Sequence, residues 1–130
     1  MIRSLPDFDT SCLLRELREM NFSHIPLRAP RECMMMLRET ALELWSADVP
    51  PLLSKENLAM EARIDFCLNL LGYLGSHREC DAGIRRASLT LADRIIQLKV
   101  AGLSATDRAH TYLLLMHQQE QRTLPPVMHG

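Results

Sequence analysis

The stretch SKENLAMEARIDFCLNLLGYL, residues 54–74, decides the fold class. Met60, Ile64, Cys67, Leu68, Leu71 and Leu74 recur at intervals of three and four, the period of one helix face. Phe66 and Leu70 widen that face, which predicts a helix covered on more than one side and central to the fold. Ser54 suits its N-cap, because a serine oxygen accepts from an otherwise unpaired N–H of the first turn.

The same period recurs outward along the chain. Residues 30–47 open on Pro30, suited to a first turn because it has no N–H to leave unpaired. There Cys33, Met34, Leu37, Ala41, Leu44 and Trp45 fall on one side of the helical wheel, with Glu32, Glu39 and Glu43 opposite. Upstream, residues 10–22 carry the stripe Leu13, Leu14, Leu17 and Met20 behind a possible cap at Asp9 or Thr10. Downstream, residues 81–101 form a further helix that stops at Gly102, and the last one covers 104–122. Its start, Ser104-Ala105-Thr106-Asp107, is a capping box with Asp in place of Glu, and its core stripe is Ala105, Ala109, Tyr112, Leu113 and Met116.

Pro26, Pro50-Pro51, Gly75-Ser76-His77 and Gly102 punctuate these segments, and none shows the period of two of a strand. The prediction is an all-α protein: a compact single-domain bundle of about five helices with no β-sheet. The bundle spans residues 10–122, between an N-terminal tail (1–9) and a flexible C-terminal tail (123–130) containing Pro125-Pro126. Leu71-Gly72 fits the start of a tetratricopeptide-like repeat, but the small residues that repeat requires downstream do not align.

At 130 residues the chain is one domain's length, and 47% hydrophobic residues suffice for a core. Fifteen basic and sixteen acidic side chains leave a formal charge of -1, so the overall cationic field of a general nucleic-acid binder is missing. Apolar runs fall far short of the roughly 20 residues of a membrane span. Pro6, Asp7 and Asp9 interrupt the N-terminus in a way a signal peptide would not tolerate. Cys12, Cys33, Cys67 and Cys80 form no C-x-x-C pair, which points to free thiols. A soluble cytoplasmic protein without membrane contact is expected.

Chemistry-bearing patterns are sparse. His110 and His117 share a helix face, but two turns separate them by about 10.5 Å, too far to chelate one ion. Cys33 and Cys67 sit at core positions, while Cys80, at a helix start, is expected to be more exposed. No phosphate loop, nucleophile elbow or zinc-protease motif occurs. The expectation is a non-enzyme with no catalytic residue, no metal and no cofactor.

The functional signal is surplus apolar surface. Within 81–101, Ile84, Ala87, Leu91, Ile95 and Leu98 form one stripe, and Leu89, Ile96 and Val100 form a second, nearly opposite. A helix apolar on two sides must be covered on two sides, by another helix of the bundle or by another molecule. The second cover points to a partner-binding or dimer face of Leu89, Ile96 and Val100, rimmed by Arg85 and Arg86. Eight methionines, adaptable at binding surfaces, fit that reading. It describes a small regulatory or adaptor protein, acting by protein–protein contact and forming a homodimer. Its task would be to sequester a transcription regulator or chaperone a partner. The alternative is a dimeric DNA-binding regulator using residues 78–99, where Arg78, Arg85, Arg86, Arg94 and Lys99 outnumber three acids. A pocket between helices lined by methionines and Trp45 is a third reading.

Overall fold

The computed structural model describes residues 12, 14, 15, 17, 19, 25–46 and 58–126. Among them are four helices and no strand: α1 (Pro30–Ser46), α2 (Leu58–Ser76), α3 (Ala82–Val100) and α4 (Ala105–Glu120). The helix expected over 10–22 lies largely outside the described residues. Its described positions Cys12, Leu14, Arg15 and Leu17 are helical, Glu19 N–H donates to the Arg15 carbonyl at 3.0 Å, and Leu17 is buried. Ser54, the expected cap, and residues 1–9 and 127–130 also lie outside the described set.

Local chemistry sets the helix ends. Asp81 caps α3, its side chain accepting from the Ile84 N–H at 2.9 Å. Ser104 caps α4 by accepting from the Asp107 N–H at 3.3 Å, the half of the capping box that the sequence predicts. Gly102 follows α3 without a positive φ, so the helix ends in ordinary right-handed turns and the glycine's left-handed freedom goes unused.

Helix α2 is the hub and packs against each of the other three, most extensively α3. The six apolar residues assigned to one face of α1 are all buried. On α2 itself Ile64, Cys67, Leu68, Leu70, Leu71, Tyr73 and Leu74 are buried, while Met60 and Phe66 pack at the core's edge. Polar contacts fix the α1–α2 pairing. The Tyr73 hydroxyl donates to the Pro26 carbonyl at 2.7 Å, and Arg63 pairs with Glu43 across the helices. On the other side Lys99 Nζ lies 3.4 Å from Glu61, setting α3 antiparallel to α2.

Helix α4 attaches differently. Only Gln119 is buried on it; Tyr112, Leu115 and Met116 are half-buried against the core. Three residues of its expected core stripe, Ala105, Ala109 and Leu113, face outward. The larger side chains Tyr112, Leu115 and Met116 take the core side in their place, and polar contacts at the C-terminal end accompany that rotation. Gln119 Nε2 donates to the Leu68 carbonyl at 2.9 Å, and the Arg122 guanidinium reaches Asn69 Oδ1 at 2.5 Å and Asp65 Oδ1 at 2.9 Å. A Cβ on Gly72 would collide with the Arg122 carbonyl and lie 2.8 Å from its Cβ, so a glycine here lets the chain cross α2 in contact. Residues 123–126, assigned from sequence to a loose tail, line a groove with Met36 and Phe66.

Candidate partner-binding face

The five residues assigned to a partner face do not lie together on the surface. Ile96 is fully buried and Val100 is 2% exposed. Asp93, one turn before Ile96, accepts a hydrogen bond from the Tyr112 hydroxyl of α4, and Val100 borders Ala105, Ala109 and Tyr112. The C-terminal part of the second apolar side of α3 therefore meets α4 of the same chain at Asp93 and Val100. Leu89, further toward the N-terminus, is 54% exposed and lies against α2, where a Cβ on Gly75 would come within 3.0 Å of its Cδ2. Arg85 and Arg86 are exposed. In the 78–99 segment Arg78 is exposed as well, but Lys99 is engaged with Glu61, so the basic residues do not form one free row.

Exposed apolar surface gathers on α4 instead. Ala105, Ala109 and Leu113 follow one another at a spacing of four along its outer side, and Leu113 is 67% exposed. Beside them a groove of about 450 Å³ runs between the end of α3 and the start of α4, walled by Val100, Ala101, Ala105, Ala109 and Tyr112. Gln97 and Arg108 stand at its edge. A ridge (Leu113) and a hollow lined by small residues thus occur on one face. Leu114, on a different side of α4, is 51% exposed.

The periodicity of the last helix contained this signal. Two overlapping stripes are present, Ala105–Ala109–Leu113 and Tyr112–Leu115–Met116–Gln119, and only one can face the core.

Three of the four thiols, Cys33, Cys67 and Cys80, are buried, and all four cysteines are free. Cys80, expected to be exposed, is only 2% exposed and belongs to the core cluster. Burial, and next the Asp81 carboxylate, push its pKa up against the opposing pull of Arg85. Cys67 is pushed up to about 12, chiefly by burial. Cys33 is raised by burial and by Glu32. His77 stacks edge-on against Tyr73 at 5.0 Å and accepts from the Glu79 N–H, while His110 and His117 are exposed. No group of three His, Cys, Asp or Glu side chains able to hold a metal ion occurs among the described residues. Trp45 is packed in the core and borders neither groove. Among the described residues no helix is long and apolar enough to cross a membrane.

Comparison with protein families, with curated proteins and with solved structures finds no match for this chain.

Proposed function

We propose that the protein is a non-enzymatic adaptor or regulator that works by protein–protein contact through the outer face of α4, and that a second copy of the chain occupies that face. The observation that carries this reading is the row Ala105–Ala109–Leu113, left exposed beside an apolar groove. A two-fold interface requires one patch to complement itself. Leu113 supplies a side chain to insert, and the small residues of the groove supply the space to receive one. Burying a leucine removes about 1.5–3 kcal/mol of unfavourable hydration, and in a two-fold dimer each such contact occurs twice.

Sedimentation velocity over a concentration series tests the reading. A reversible dimer that Leu113→Glu abolishes supports it. A species monomeric at every concentration contradicts it. Co-purification of nucleic acid that is lost at moderate salt would replace it with the DNA-binding alternative on the 78–99 segment.

A further inference from the structure

We propose that α4 is a latched arm, fastened at its C-terminal end and able to lift from α2 and α3 while the other helices stay folded. Lifting uncovers Ile96 and Val100. The inference concerns the single chain and does not depend on the association proposed above.

The first observation is how little of α4 is buried. Every residue from 104 to 110 is exposed, and Gln119, a polar residue, is the one buried residue of the helix. Helices of this length draw their stability from tertiary packing, so this one depends on a few contacts near its middle and end. Segments with few buried apolar contacts open at lower free energy than the core around them.

The second observation is the chemistry of the fastening. Arg122 holds Asp65 and Asn69, and Gln119 holds the Leu68 carbonyl, so the attachment at this end is polar. The Asp65 side chain is 61% exposed, and ion pairs open to water contribute little. Gln119 Oε1 is buried and accepts no hydrogen bond among the described residues, which weakens the anchor further. Midway along the helix, the Tyr112–Asp93 hydrogen bond ties α4 to α3.

The third observation is what lies beneath. Asp93 and Val100 both meet α4, and Ile96 sits between them on the same side of α3, one turn from each. Ile96 and Val100 are as buried as any core residue. A weakly held helix over a strongly apolar floor is a two-state element: closed, the floor is core; open, it meets solvent.

Native-state hydrogen–deuterium exchange on the full chain tests the arm, with Arg122→Ala and Asp65→Asn as variants. Asp65 is exposed and Arg122 partly buried, and both lie outside the hydrophobic core cluster, so the variants retain the core. In the wild type, amides across residues 110–120 should exchange at least tenfold faster than those around Leu68–Leu74 and Leu91–Ile96. Each variant should speed α4 several-fold further and leave α2 unchanged. Equal protection of all three helices overturns the arm. Unchanged α4 exchange in both variants overturns the latch.

Discussion

Tyr112 on α4 donates its hydroxyl proton to the Asp93 carboxylate on α3, and this contact lies one turn from the buried Ile96. The hydrogen bond fixes how far α4 leans over α3. Tyr112→Phe should therefore lower stability by roughly 1.5–3 kcal/mol, the range for a hydrogen bond to a charged acceptor. Urea denaturation followed by circular dichroism reads the change. Stability equal to wild type would mean that the bond contributes nothing.

Ile96 and Leu89 share a helix side but differ in what covers them. Ile96→Ala should cost about 2–5 kcal/mol, as truncation in a close-packed core does. Leu89→Ala should cost far less, because half of that side chain already meets water. Equal midpoint shifts in the two variants would show that Ile96 is not core.

Gly72 supplies a test with an unusual sign. In a helix interior Gly→Ala ordinarily stabilises by about 1 kcal/mol. At Gly72 the added methyl runs into the Arg122 backbone. Gly72→Ala should instead destabilise and displace the C-terminal segment, seen as faster cleavage after Arg122 by trypsin. A variant more stable than wild type would mean that the segment does not cross α2 at this point.

Alkaline pH acts through the buried thiols. The Cys67 thiol, pushed by burial from an ordinary value of 9.0 to about 12, keeps its proton in the folded chain after the unfolded chain has lost it. The unfolded state then binds fewer protons, so stability is full below about pH 9 and falls as pH rises from there toward 12. Tyr112 adds to the same trend, since the Asp93 carboxylate it bonds, and then burial, raise its phenol. Cys67→Ala should flatten the decline of urea midpoint with pH. A decline as steep as in wild type would assign the loss to other groups.

What could be read from the residues, and what could not, divides along the chain. The α1 face from Cys33 to Trp45 and the central role of α2 follow from local spacing, because α1 carries one dominant apolar side and α2 a widened one that needs cover on more than one side. The surplus stripe on α3 was also legible, but its cover was not. Val100 and Asp93 meet α4, and Ile96 between them is buried, a relation between segments that periodicity within either one does not contain. For α4 itself two stripes compete, and the rotation adopted brings Gln119 onto Leu68 and Arg122 onto Asp65 and Asn69, pairs separated by more than fifty residues. Cys80 was placed by its position at a helix start, whereas the turn from His77 folds it inward, with its N–H bonded to the His77 carbonyl at 3.1 Å.

The most direct measurement is the mass of the protein in solution, by sedimentation velocity, for the wild type and Leu113→Glu. Leu113 is exposed, so the substitution should leave helicity and thermal midpoint near wild type. A concentration-dependent dimer in the wild type and a monomer in Leu113→Glu is the predicted result. A wild type that stays monomeric, or a dimer that survives the substitution, would contradict a role for the α4 face.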